Sequence, residues 1–230
     1  YDLFAPMGSS STKFSTQEAK DLLVSLFSTF DGELADMVAR AFDEAWIDFF
    51  PRDGKRGGAF CAGVKSIGES RILTNFDGMF TDVVTLAHEL GHAFHNQCVD
   101  GHRVLNHDYS MPLAETASTF NECIIMNAAI KAAASDDEKL ALIESQLQDV
   151  TQVICDIYSR YRFETMVFER RSEEFLNAKT LCELTTDAQK RSYGDGLAEN
   201  AMHPYMWVCK SHYYGPTFYN FPYAFGGLFA

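Results

Sequence analysis

Thr85-Leu86-Ala87-His88-Glu89-Leu90-Gly91-His92-Ala93-Phe94-His95 is the stretch on which the reading of this chain turns. Its first two histidines stand four residues apart. In a helix that spacing is a rotation of about 40°, so the imidazoles of His88 and His92 leave one face and can reach one ion. Glu89 lies about 100° around from His88, where its carboxylate can reach a water on such an ion without ligating the ion itself. With 7 histidines and 15 glutamates in 230 residues, chance supplies about 0.014 motifs of the form HExxH. The flanks suit a helix. Val83, Val84, Leu86 and Ala87 are apolar, Thr81 or Asp82 can cap the start, and nothing breaks the pattern through His95. A helix over 82–99 carrying a zinc site is the expectation.

Catalytic zinc usually takes three protein ligands and a water. The metzincin continuation HExxHxxGxxH is absent, so the third ligand must come from another helix. Residues 99–112 contain Asp100, Gly101, Asn106, Asp108 and Pro112 and read as a loop that lets the next helix, 113–134, fold back on the first. Glu115 then falls in that helix's first turn, where a carboxylate also suits the helix dipole, and it is the candidate third ligand. Glu122, seven residues on, shares its face. Orienting a histidine ligand is one task for it, and a solvated acidic face is the alternative. His95 lies on the stripe of His88, and a supporting hydrogen bond or a packed position is expected for it. His102 and His107 are expected at the surface, and Met126 in the core.

Around this pair of helices the chain reads as mostly α with one small sheet. Ser15-Thr16-Gln17-Glu18 has the form of a capping box ahead of a helical stripe, Ala19 to Phe30, that ends at Asp31-Gly32. A second helix is expected from Glu33 to about Phe50, stopped by Pro51. Six glycines between Gly54 and Gly78 interrupt helix, and Ala59–Ala62 and Arg71–Phe76 read as two short paired strands. Further helices are expected over 136–176, opened by the box Ser135-Asp136-Asp137-Glu138, over 186–200, and from about Phe218 onward. No linker divides the chain, so residues 1–230 read as a single domain, and both ends read as cuts in a longer one.

The composition narrows the function. Nineteen Lys and Arg against 32 Asp and Glu give a net charge of −13, which disfavours nucleic acid and anionic membrane as partners. No run of 18 apolar residues offers a membrane span. Six cysteines, no two closer than 25 residues, make no metal knuckle and read as reduced thiols, which suits a cytoplasmic setting. The oligomeric state is left open.

His88-Glu89-Leu90-Gly91-His92, followed by Pro112-Leu113-Ala114-Glu115-Thr116-Ala117-Ser118-Thr119-Phe120-Asn121-Glu122, closely resembles the oligoendopeptidase F family, grouped with thimet oligopeptidase and neurolysin. The resemblance runs from Tyr1-Asp2-Leu3-Phe4-Ala5-Pro6 through Gly54–Phe60 and Ile72–Phe76 to His212-Tyr213-Tyr214. It implies a zincin-like helical catalytic domain with a small sheet that cuts short oligopeptides in a deep channel. It implies one Zn2+ per chain on His88, His92 and Glu115, with Glu89 as general base. It further implies that the strand Arg71–Phe76, with Leu73, Thr74 and Asn75, lines the cleft as an edge and grips an extended peptide by its backbone, and that Gly57 and Gly58 allow the backbone to come close. His212, Tyr219 and Tyr223 map to the histidine and tyrosines that stabilise the tetrahedral intermediate. Phe221 and Pro222 depart from the family pattern there. Relatives extend beyond this chain at both ends, which leaves a zinc-bound but inactive peptide-binding fragment as the alternative function.

Overall fold

The computed structural model describes residues 13–230; the Tyr1–Pro6 part of the resemblance lies outside them. The described chain forms two compact units. One holds the chain up to Gln146 with Phe229–Ala230, the other Leu147–Leu228. The boundary falls inside a helix, so no linker marks it. No described helix is long and apolar enough to cross a membrane.

The first unit opens with helix α1 (Thr16–Ser28). Its capping box forms as expected: the Glu18 N–H donates to Ser15 Oγ at 3.2 Å and the Ser15 N–H to Glu18 Oε2 at 2.8 Å. Asp31 then caps α2 (Gly32–Asp43) by accepting from the Leu34 N–H at 2.9 Å. The expected continuation of α2 to Phe50 does not occur. The helix stops at Asp43, Ala45 turns to φ 55°, and Ile47–Asp48 becomes strand β1. The reason is tertiary: the carbonyls of Trp46 and Asp48 accept from the N–H groups of Ile72 and Thr74 at 2.9 and 3.0 Å, bonds that a helix would forfeit.

The two expected strands are present as β2 (Phe60–Val64) and β3 (Glu69–Leu73). They pair antiparallel from Phe60↔Leu73 to Val64↔Glu69, turning at Gly68 with φ +64°, a conformation that favours glycine. β1 adds to β3 in parallel, and the order is β1-β3-β2. β3 is therefore the central strand. This corrects the expectation that 71–76 is an edge. The open edges belong to β1 and β2.

Helix α3 (Phe80–Val99) carries the histidine pair. It begins two residues earlier than expected because the Asp82 carboxylate accepts from the N–H groups of Met79 and Asp77 at 2.9 and 3.0 Å. Val83, Leu86 and Leu90 are fully buried, each worth about 1.5–3 kcal/mol of burial. They join Leu23, Phe27, Leu34, Met37, Val38, Ile72 and Ile125 in one core that couples α3 to α1, α2 and the sheet. Helix α4 (Met111–Ala132) then returns against α3. It too starts two residues early, with Pro112 in its first turn. Glu115 consequently sits in the second turn, and the dipole argument for its position does not hold. What places Glu115 is the face of α4 that meets α3.

The expected long helix 136–176 is broken. α5 (Asp136–Thr151) is followed by a π-helical stretch, Gln152–Asp156, and by α6 (Ile157–Arg170). The wider turn rotates the face presented beyond it. α7 spans Ala178–Tyr193, not 186–200: Asn177 caps it at Thr180 N with 3.1 Å, and Gly194 ends it. In the second unit α6 and α7 pack through Phe163, Leu184 and Ala188, with Trp207, from the short helix α8 (Met206–Cys209), and Tyr213 against them. The last helix, α9, is Phe221–Phe229, with Pro222 tolerated in its first turn. It starts after Phe218 because that residue takes φ 55° and gives its N–H to Glu164 Oε1 at 2.8 Å.

The contact between α3 and α4 is close at Gly91. A Cβ there would lie 2.8 Å from Asn121 Nδ2, 2.9 Å from the Ala117 carbonyl oxygen and 3.0 Å from Ser118 Cα. Two of these are backbone atoms and cannot swing aside. In an open helix Gly→Ala gains up to about 1 kcal/mol; here overpacking of about 1–3 kcal/mol outweighs it. Gly91→Ala is thus expected to lower the unfolding free energy by a net 1–2 kcal/mol or so in urea titration, and an unchanged or raised midpoint would refute the tight contact.

Candidate functional site

The α3–α4 contact sets the first cluster. His88 and His92 leave one face of α3, with ring centroids 4.9 Å apart and planes at 85°. Glu115 Oε2 from α4 lies 3.4 Å from His88 Nε2 and 4.0 Å from His92 Nε2. One ligand atom from each of the three falls within 4.8 Å of the other two, the one such group among the described residues. Tetrahedral bonds of 2.0–2.1 Å to one ion would put ligand atoms roughly 3.4 Å apart, so the residues fit a single small cation with little adjustment. Ser118 Oγ donates to Glu115 Oε2 at 3.1 Å and fixes that carboxylate.

Glu122 lies against His88. Its Oε1 accepts a short hydrogen bond from His88 Nδ1. The proton of His88 is therefore on Nδ1, and the Nε2 lone pair faces Glu115 and His92.

Charge points the same way. Glu89 and Glu115 are buried, and Glu89 Oε2 has no hydrogen-bond partner. Burial pushes the Glu89 carboxyl up to about 7, with the neighbouring Glu115 and Glu122 adding to the shift against the opposing effect of His88. Burial also raises Glu115. It opposes protonation of His88, yet the bond to Glu122 and the surrounding carboxylates carry its pKa upward on balance. His92 is pushed down to about 3 by burial and then by His88 and His95, so at neutral pH it offers a free lone pair. Three carboxylates around two imidazoles form an anionic pocket that a divalent cation would neutralise.

His95 is packed. It stacks on Tyr109 at 4.1 Å between centroids, and Tyr109 Oη donates to Asn96 Oδ1 at 2.8 Å. His102 is exposed, but His107 is buried, with Nε2 on the His102 carbonyl oxygen at 2.6 Å. The surface expectation for His107 is corrected: after the turn Val104–Asn106 its ring bonds back to the loop's own backbone at His102.

Of the residues expected to bind substrate, Asn75 meets the Gly57–Gly58 loop, and Leu73 and Thr74 are engaged in the sheet. Leu73 is taken up by pairing with Phe60. Thr74 is buried, and its N–H and Oγ1 donate to the carbonyls of Asp48 and Phe49. Asn75 donates to the carbonyls of Arg56 and Gly58 at 3.0 and 2.9 Å and so holds the loop that carries Gly57 and Gly58. Both glycines are exposed at the entry to β2.

The second unit brings His212, Tyr219 and Tyr223 together. His212 stacks on Tyr219 at 5.3 Å and 10°, Tyr223 meets the His212 ring edgewise at 6.0 Å, and the two tyrosines are 6.1 Å apart. Reading the sequence alone misses what lies beneath them. Arg160 of α6, 6% exposed, donates from Nη1 to Asn220 Oδ1 at 2.9 Å and to His212 Nδ1 at 3.4 Å, while Nη2 makes a short ion pair with Asp156. Beyond Asp156, one turn away, its partners His212 and Asn220 are 52 and 60 residues away in sequence, a distance no local spacing encodes.

Residues 21–227 match the sequence model of peptidase family M3. The chain is 31% identical over 228 residues to the chromosomal oligoendopeptidase F of Lactococcus lactis subsp. cremoris. It is 29% identical over 228 residues to an oligoendopeptidase F homolog of Lactococcus lactis subsp. lactis. Each alignment covers 98% of this chain and 38% of the relative. A crystal structure of a candidate peptidase from Chlamydophila abortus superposes with a TM-score of 0.78 at 27% identity, covering 98% of this chain and 38% of that one. The chain thus spans about two fifths of the length of the proteins it matches.

Removing the carboxylate behind His88 should loosen any ion held by the cluster. Glu122→Ala is expected to weaken Zn2+ binding by about 10- to 100-fold, measured by competition with a chromophoric chelator; affinity equal to that of the unaltered chain would mean that Glu122 does not orient the ligand.

Proposed function

The chain belongs to peptidase family M3, and from that premise we propose that it carries the catalytic residues of a zinc-dependent endopeptidase acting on short oligopeptides. The observation that carries this reading is the juxtaposition of His88 Nε2, His92 Nε2 and Glu115 Oε2, with a buried, unpartnered Glu89 oxygen beside them. Two imidazoles and one carboxylate are the donor set of a catalytic zinc that keeps a position for water. A zinc ion there supplies Lewis acidity toward the scissile carbonyl and lowers the pKa of a water.

The remaining chemistry belongs to the protein. Glu89 accepts the proton of the attacking water and returns it to the leaving amine. His88 is kept as a lone-pair ligand by Glu122. His212 and a tyrosine, Tyr219 or Tyr223, are assigned as donors to the developing oxyanion; their mutual packing supports a common task. For substrate grip, the open edge of β2, entered through the exposed Gly57 and Gly58, offers backbone groups to an extended peptide. Binding through main chain would make the preference follow peptide length more than sequence. Six free cysteines support a cytoplasmic setting.

Glu89→Gln separates chemistry from structure, because the amide keeps the shape and loses the base. The variant is expected to bind Zn2+ and unfold like the parent while kcat on a quenched fluorescent oligopeptide falls by about 10²–10⁴-fold. Turnover within a few-fold of the parent in the zinc-loaded variant would exclude the assigned role.

A further inference from the structure

We propose that Arg160 is a positioning residue that locks His212 in the neutral tautomer with its proton on Nε2, making the ring a fixed N–H donor; the proposal rests on the reading that His212 donates to substrate. The argument is one of donor and acceptor capacity. A guanidinium has five N–H donors, no lone pair to offer, and stays protonated throughout the working range of pH. Arg160 Nη1 lies 3.4 Å from His212 Nδ1. At that contact Nδ1 can only accept. An accepting Nδ1 in a neutral imidazole requires the proton on Nε2.

The setting holds Arg160 where this argument needs it. Nη1 also donates to the buried Asn220 Oδ1 at 2.9 Å, and Nη2 pairs with Asp156, so the guanidinium is tied at both ends. Glu164, one turn further along α6, holds the Phe218 N–H. Helix α6 therefore grips the segment that carries Tyr219 on either side of it. The groups around His212 are the cations Arg160 and Lys210, the anion Asp156, which Lys210 Nζ approaches to 3.6 Å, and the rings of Tyr219 and Tyr223. Burial, then Arg160, then Lys210 all act against an imidazolium here, and the His212 pKa is lowered accordingly.

His88 shows the opposite arrangement. Its Nδ1 faces an acceptor, Glu122, so its Nε2 presents a lone pair. His212 faces a donor, so its Nε2 presents a hydrogen. The partner at Nδ1 separates a histidine fit to ligate from one fit to donate.

The test reads the tautomer directly, by long-range 15N–1H correlation on the chain labelled at histidine nitrogen, at pH 7 to 8. A chain that cuts no peptide still decides it. His212, assigned by its loss in His212→Gln, is expected to show a protonated Nε2 and a bare Nδ1. Arg160→Lys, which keeps a donor, should retain that pattern. Arg160→Met should mix the tautomers and raise the His212 pKa toward its ordinary value. Should Arg160→Met fail to fold with Asp156 left unpaired, the Asp156→Asn/Arg160→Met double variant is read in its place, with the same expectation. A proton on Nδ1, an imidazolium at pH 7, or an unchanged tautomer when the donor is removed would overturn the proposal. Turnover separates it from the reading beneath: loss of an oxyanion donor costs about 10²–10³-fold in kcat. If the tautomer follows Arg160 while His212→Ala leaves kcat unchanged, the positioning stands and the assignment of His212 to the reaction falls.

Discussion

Helices α3 and α4 approach each other so closely at Gly91 that no side chain fits between them. Asn121 Nδ2, the Ala117 carbonyl oxygen and Ser118 Cα all lie within 3.0 Å of where a Cβ would be. That contact fixes the distance and rotation of one helix against the other. Everything in the first cluster depends on it, because His88 and His92 come from α3 while Glu115 and Glu122 come from α4. The glycine inside the motif is as much a part of the centre as the histidines that flank it. Its work is steric: it lets a carboxylate on one rod reach two imidazoles on another. The core of Val83, Leu86, Leu90 and Ile125 supplies the adhesion that keeps the rods together.

Around that contact the protein gathers charge that it does not neutralise with side chains. Two buried glutamates and a half-buried third surround two histidines, and the Glu89 oxygen without a partner is the sharpest sign of imbalance. Buried polar groups are ordinarily satisfied. A cluster left unsatisfied in a well-packed core is stable when a cation completes it, which connects the packing to the chemistry proposed for it.

The helical half of this arrangement was legible in the sequence, since periodicity and capping are local. The i, i+4 histidines, the box at Ser15 and the return of Glu115 after a glycine- and proline-containing loop all follow from spacings within about 30 residues. The failures share one cause. Trp46 continues a helical stripe that hides strand β1, and only bonds from Ile72 and Thr74 pull Ile47–Asp48 into the sheet. The resemblance implies an edge for β3, and β1, hidden in that stripe, encloses it instead. Arg160 carries no signal because His212 and Asn220 lie far along the chain, and Gly91 carries none because its meaning lies in what stands opposite. The π-helical stretch 152–156 and the cap at Asn177 displaced two further helices for reasons that sum over neighbours rather than show at any one residue.

The central claim, that α3 and α4 together hold one zinc through His88, His92 and Glu115, is tested most directly by X-ray absorption at the zinc edge. The sample is the chain loaded with a single equivalent of Zn2+. The account predicts a shell of nitrogen and oxygen alone at about 2.0–2.1 Å, with the outer-shell signature of two imidazoles. Sulfur scattering at about 2.3 Å, or a shell without imidazole, would contradict it.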